Sequence, residues 1–383
     1  MMKLLYILNF ARRLNQFSHS SMLAAQALGY EFHVASNWSY PNEDEKRQDE
    51  IKYGIRIHQI DFMRNPLHPG NIKAYRQISS LMEHENFQIV HCNTPIGGAL
   101  GRIAAKRHHV NAVIYQAHGF HFYQGAPWTS WVLYYPIEKI LTRYSDCIIT
   151  INKEDYELAR KQLRPRLSGK VVYVPGIGID IHRYASTEIE PAKIKEEYGI
   201  PDDAIVAISV GELNRNKNHE VVIRAIQGIP HVHYMIAGIG PLHEKLIMLA
   251  EEQGIADRVH FLGYRSDIPH VYKASDIFCL PSYREGLSAS LMEAMASGLP
   301  VICSDIRGNR DLVLRQGGYL INPKDVQGFA AALNELVSSD TKRVRMGKAN
   351  RKTIEAFSIN QVVPMMKSIY AELVERNITG TSG

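Results

Sequence analysis

The sequence predicts an α/β protein built from two doubly wound parallel sheets. Three observations carry that prediction. Short apolar runs of strand length alternate with longer helical runs along the whole chain, as successive βαβ units require. At 383 residues the chain has room for two domains of ordinary size. Glycines recur where a strand would give way to a helix, at Gly97-Gly98, Gly211 and Gly238 to Gly240, where the turns of such sheets fall.

Taken in order, residues 3–8 read as the first strand, 9–19 as a polar loop and 20–28 as a helix ended by Gly29. Residues 32–35 form the second strand, and the charged segment 41–49 predicts a surface loop. Residues 89–92 are a strand, followed by a glycine-rich turn and a helix to Lys106. The strand 112–115 runs into His118-Gly-Phe120-His121, and the strand 146–150 leads to a charged helix over 152–163. Pro175, Gly176 and Gly178 mark a hinge, so the domains are expected at 1–176 and 177–361. In the second domain 204–210, 233–237, 259–263, 276–280 and 301–303 read as strands, and 324–337 and 362–376 as helices. The tail 377–383 is expected to fray.

Composition narrows the class. Apolar content of 45% with 22% charged residues describes a soluble globular chain. Four cysteines, Cys92, Cys147, Cys279 and Cys303, stand far apart, which suggests neither a metal cage nor a disulfide framework and fits a reducing cytosol. The N-terminus is too short an apolar run for a signal peptide, and no run of 18 apolar residues predicts a membrane span. Residues 1–175 hold 21 Lys and Arg against 14 Asp and Glu, the remainder 23 against 25. The first half therefore favours anionic partners such as lipid headgroups or an acceptor diphosphate. Nucleic acid is not expected, because no basic helix or aromatic–basic sheet motif accompanies the charge.

The stretch Cys279 to Val301, CLPSYREGLSASLMEAMASGLPV, carries the most chemistry. A strand ends in Pro281-Ser282, and a helix follows with Ser288 as N-cap and Gly298 as stop. Glu285 lies in the loop and Glu293 eight residues on, about 10 Å or more apart, too wide for one glycosidic bond but suited to two ends of an extended ligand. Between them the N–H groups near Gly286, Leu287 and Ser288 form a helix start that suits a phosphate. A sugar, a diphosphate and a ribose in that order describe a nucleotide sugar. Glu293 stands among apolar residues, where a carboxylate without a partner is costly.

On the first domain, Asn93-Thr94-Pro-Ile-Gly97-Gly98 has the geometry of a phosphate loop, although glycines there also allow close helix–sheet packing. With Asn9 and Arg12 of the first loop, Thr94, Gly97 and Gly98 are candidate ligand-binding residues. Phe120 and His121 join them at the carboxyl edge of the sheet. The aromatic run 120–136, followed by Lys139 and Arg143, reads either as a patch touching membrane or as a lid and helix packed on the core.

Glu285-Gly-Leu-Ser-Ala-Ser-Leu-Met-Glu293, with Leu280-Pro-Ser282 before it and Ala296-Ser-Gly-Leu-Pro-Val301 after it, resembles the Glu-x7-Glu motif of retaining glycosyltransferases of GT-B fold, family 4. The resemblance extends over nearly the whole chain and implies two Rossmann-like domains facing a cleft. It implies transfer of a hexose or N-acetylhexosamine from a nucleotide sugar, expected to be UDP-linked, to a saccharide on a polyprenyl diphosphate carrier in surface polysaccharide synthesis. Glu285 would hold donor-sugar hydroxyls and Glu293 the ribose. His118 would contact the donor sugar or the acceptor, and Tyr264 and Arg265 would flank the base. Gly211 and Gly240 belong to the donor-side glycine turns, and the last helix would return to the first domain. Lys217 matches the family's diphosphate lysine, but Glu212 stands where the family has an arginine, leaving Arg215 as a substitute. Two cations there would stabilise the departing diphosphate, so neither metal nor cofactor is expected. The first loop also lacks the family's paired glycines. Two alternatives share the architecture: a sugar-nucleotide epimerase and a non-catalytic nucleotide-sugar-binding protein.

Overall fold

The apolar runs become strands because those inside the sheets are buried on both faces, as the interior of a parallel sheet demands. The computed structural model describes residues 1–383 apart from 12, 15, 41, 167–168, 186–190 and 380–383. The chain divides into two units, Met1–Gly178 with Ile359–Gly383, and Ile179–Ser358.

The first unit holds a seven-stranded parallel sheet of β1 (Lys3–Ala11), β2 (Glu31–Trp38), β3 (Ile55–Gln59), β4 (Ile89–Asn93), β5 (Ala112–Ala117), β6 (Cys147–Thr150) and β7 (Lys170–Tyr173), in the order β3-β2-β1-β4-β5-β6-β7. The second unit holds a six-stranded parallel sheet of β8 (Ile205–Val210), β9 (Val232–Ala237), β10 (Val259–Gly263), β11 (Ile277–Leu280), β12 (Val301–Ser304) and β13 (Gly318–Ile321), in the order β10-β9-β8-β11-β12-β13. In each sheet the direction of winding reverses beside its first strand. β1 lies between β2 and β4, and β8 between β9 and β11. Ligands of open α/β sheets bind outside the carboxyl ends of the strands at such a point.

The helix Ile359–Thr379 supplies Val362, Met366, Ile369, Tyr370 and Leu373 to the core of the first unit, together with Leu4, Tyr6 and Phe32. The Tyr370 hydroxyl lies 2.8 Å from His91 Nδ1. On the other face of that sheet the helix Pro95–Arg107 packs so closely that a Cβ on Gly98 would stand 2.6 Å from the Tyr115 ring.

Segment 41–49, expected as a loop, is largely helix: Glu43–Tyr53 is capped by Asn42, whose side chain accepts from Glu45 N. Glu43, Asp44 and Glu45 fill its first turn, and Gly54 ends it in the left-handed region. It buries no residue, so it has no apolar period to read. The first helix begins at Gln16 rather than at 20.

Candidate functional site

In the second unit the switch point is bridged by one ion pair. β8 ends at Val210, and the loop after it brings Lys217 Nζ to 2.8 Å from Glu285 Oε1, on the loop after β11. Both side chains are largely buried. The lysine is held along its length, since a Cβ on Gly211 would stand 2.9 Å from Lys217 Cε. Its backbone N donates to Asn214 Oδ1 at 3.0 Å, which closes the loop on itself. Asn216 Nδ2 donates to Arg284 O, and Tyr283 N to Asn216 O, so the two loops are laced together by backbone groups. Asn218, at φ +54°, donates to Pro281 O and Pro323 O. Gly240 supports the same loop from behind, because a Cβ there would meet the Leu213 carbonyl oxygen at 2.6 Å.

The Glu285 loop is fixed from a third strand. Arg307, buried after β12, donates from Nε to Glu285 O at 3.3 Å. Gly308, at φ +77°, leaves no room for a Cβ against the Gly286 carbonyl. Ser288 then caps the helix Ala289–Ser297, its Oγ accepting from Leu291 N at 3.4 Å. No acidic side chain lies in the first turn, so the positive end of the helix beside Gly286 and Leu287 is unopposed. Glu293 is buried, with Tyr272 OH donating to Oε2 at 3.1 Å. Tyr184 also hydrogen-bonds this carboxylate, and burial beside it holds both phenols well above their usual range. The partner demanded by burial is therefore a pair of tyrosines.

The other donor-side candidates of this unit are exposed or engaged in contacts of their own. Arg215 is exposed and lines a hollow of about 310 Å³ with Asn218, His219 and Tyr283, among others, whose lining includes neither Lys217 nor Glu285. Glu212 is exposed and accepts from Asn214 Nδ2 at 3.0 Å. Tyr264 is exposed. Arg265 is engaged twice, by Asp267 through Nε and Nη2 at 2.8 and 2.7 Å and by Glu197 at 2.6 Å.

In the first unit the switch point is bridged by hydrogen bonds. Asn9 Oδ1 accepts from Gly97 N at 2.5 Å and from Thr94 Oγ1 at 2.8 Å, while Asn9 N donates to Thr94 Oγ1 at 3.1 Å. Thr94 adopts φ +63°, which for a β-branched residue is strained. The Gly97 N–H is thus used within the protein, and Gly97 and Gly98 serve the close approach of helix to sheet. Arg12 lies outside the described residues.

His118 Nε2 faces Asn93 Oδ1 at 2.9 Å, and burial holds the ring down at about 4. Nε2 then carries the hydrogen and Nδ1 is an acceptor, buried without a hydrogen-bond partner among the described residues. Asn93 is fully buried and also meets Tyr6 OH at 3.2 Å. A hollow of about 270 Å³ brings together Thr94, His118, His121, Tyr134 and Glu138. Phe120 lines it too but is buried, stacked on Phe122 at 4.9 Å. His121 lies over Tyr134 at 4.6 Å.

Asn93, Asn216 and Arg307 were not singled out from the sequence. Each acts through contacts 22 or more residues away, and no local pattern encodes those. Among the described residues, no three His, Cys, Asp or Glu side chains are grouped to hold a metal ion, and no helix is long and apolar enough to cross a membrane.

Comparison with known proteins follows the same division. Residues 5–152 match the glycosyl transferase 4-like family, and residues 191–353 match glycosyl transferases group 1. The putative glycosyltransferase EpsD of Bacillus subtilis is 36% identical over 357 residues, 91% of each chain. A UDP-Gal:alpha-D-GlcNAc-diphosphoundecaprenol alpha-1,3-galactosyltransferase of Escherichia coli is 30% identical over 313 residues, 79% of this chain and 80% of that one. Among solved structures, Anabaena HepE in complex with UDP superposes with a TM-score of 0.77 at 18% identity, over 97% of this chain and 100% of the other. Sucrose-phosphate synthase of Thermosynechococcus elongatus gives 0.81 at 18% identity, over 97% and 99%. The fold is that of the GT-B glycosyltransferases.

Proposed function

The chain belongs to the glycosyltransferase family of the group 1 and 4-like types, and on that premise we propose that it moves a hexose or N-acetylhexosamine from a UDP-sugar to a lipid-linked saccharide, retaining anomeric configuration. The observation that carries this reading is the Lys217–Glu285 pair at the switch point of the second sheet, beside an unopposed helix start. An ammonium offers three N–H donors. One meets Glu285, and the others are available to a diphosphate seated near Gly286, Leu287 and Ser288. The Glu285 carboxylate has lone pairs left for sugar hydroxyls, as does Glu293 beside its tyrosines for a ribose.

In the proposed reaction the bond from the anomeric carbon to the diphosphate oxygen breaks, and a bond to the acceptor oxygen forms on the same face. The acceptor's proton passes to the leaving diphosphate. Lys217 stabilises the charge that grows there, a role in which cationic side chains serve without a metal. His118, neutral near pH 7, would accept a hydroxyl hydrogen bond through Nδ1. The name of the E. coli relative, with its UDP-galactose donor and diphosphoundecaprenol-linked acceptor, supports a UDP-sugar and a lipid carrier here. On this reading the work lies at the cytoplasmic face of a membrane, in surface polysaccharide synthesis.

The test is a donor panel of UDP-, GDP- and ADP-sugars with membrane extract as acceptor source, with and without EDTA. Release of UDP from one donor, undiminished by EDTA, with an α-linked product from an α-linked donor by NMR, is the expected result. Formation of an epimer of the donor without transfer would establish the epimerase alternative instead.

A further inference from the structure

The helix Trp128–Leu141 turns an apolar face to solvent. Its inner side packs on the core through Trp131, Tyr134 and Tyr135, and Arg102 secures it through Glu138 at 2.5 Å. On its outer side Trp128 is 75% exposed, and Val132, Leu133, Ile137 and Ile140 are each half exposed or more. At about 100° per residue these five and Pro136 spread over roughly half the circumference, and the charge falling in that half is Lys139, with Arg143 in the turn that follows the helix. A surface helix ordinarily shows the reverse, polar residues outward, and a contiguous exposed apolar strip marks a site of interaction.

The strip runs into a cluster of arginines. Arg143 follows directly on the helix and lines, with Arg160, Arg164 and Arg166, a hollow of about 830 Å³. Arg160 and Arg166 are paired with Glu157 and Asp146, whereas Arg143 and Arg164 make no ion pair among the described residues. Residues 101–175 hold eleven Lys and Arg against five Asp and Glu, most of the positive surplus of the first half of the chain.

We propose that this face docks on an anionic lipid bilayer, with the apolar strip at the boundary of headgroups and acyl chains and the arginines on lipid phosphates. The arrangement favours a bilayer over a second copy of the chain, because a two-fold contact through this face would bring one arginine cluster towards another. The long stems of Lys139 and Arg143 allow their charges to rise to the phosphates while the strip is immersed. The inference goes beyond the transfer reaction, since docking requires neither donor nor acceptor.

The test is co-sedimentation of the full chain, without substrates, with vesicles of phosphatidylcholine alone or mixed with phosphatidylglycerol. Binding to the mixed vesicles that weakens with salt is expected. Leu133→Ser with Ile137→Ser should abolish it while leaving the thermal unfolding midpoint in place, because both residues are exposed. Arg143→Gln and Arg164→Gln should each weaken it about fivefold. No binding to the mixed vesicles at low salt would overturn the proposal, as would binding indifferent to the double serine variant. A dimer in light scattering that the same variant breaks, with no vesicle binding by the parent chain, would assign the face to a second copy instead.

Discussion

Lys217 depends on a residue without a side chain. Its methylenes cross the α-carbon of Gly211, so Gly211→Ala must displace them, and with them the ammonium that meets Glu285. The expected outcome is a folded enzyme slowed about 10²-fold, the order of loss that follows a small misplacement of a reacting group. Lys217→Ala should lower kcat by about 10²–10³ with a smaller change in KM, because the lost charge acts mainly on the leaving diphosphate. Steady-state release of nucleoside diphosphate reads both. Equal loss in binding and turnover for Lys217→Ala would assign it to ground-state binding alone. Lys217 and Glu285 were legible in the sequence because each sits in a motif of fixed spacing. For Arg215 the sequence offers only nearness to Lys217, and that says nothing about which side of a loop a side chain takes; the structure leaves it exposed. The exposed, amide-bonded Glu212 is likewise invisible until the loop is folded.

The helix Trp128–Leu141 shows what burial of a charge does for an element. Arg102 is fully buried, donates to Gly98 O, lies 3.8 Å from the centre of the Tyr115 ring and holds Glu138. Arg102→Met leaves Glu138 with an uncompensated charge and should destabilise the first unit by about 3–5 kcal/mol. Adding Glu138→Gln should recover a large part of that loss, and denaturant unfolding of both variants checks it. Elements with an inward apolar period or clear caps, such as β8 or Ala289–Ser297, could be read along the chain. Glu43–Tyr53 could not, because a helix that buries nothing leaves only its caps and charges as signals.

Across the whole molecule, acid sensitivity is built into both units through buried histidines. His91 is held down to about 3, and His58, His118, His219 and His260 to about 4, chiefly by burial. The unfolded chain takes up protons on these rings near the ordinary 6.5, whereas the folded chain takes them up only towards 4 and below. The unfolded state therefore binds more protons in that window, and stability falls with falling pH. Thermal unfolding should move to lower temperature between pH 6.5 and 5, before most carboxylates titrate. A flat profile there would show that the rings reach solvent. The two-sheet architecture was legible because strand and helix alternate throughout, while strand order and the two bridged switch points depend on pairings between distant segments.

The central claim, that the Lys217–Glu285 pair serves transfer from a nucleotide sugar, is tested most directly by one comparison of variants. Release of nucleoside diphosphate would be followed for the parent chain, Glu285→Ala and Lys217→Ala, each with the same donor and lipid-linked acceptor. The account predicts turnover by the parent chain and its loss in both variants, with thermal unfolding of each confirming that the fold persists. Undiminished turnover in folded Glu285→Ala would contradict it.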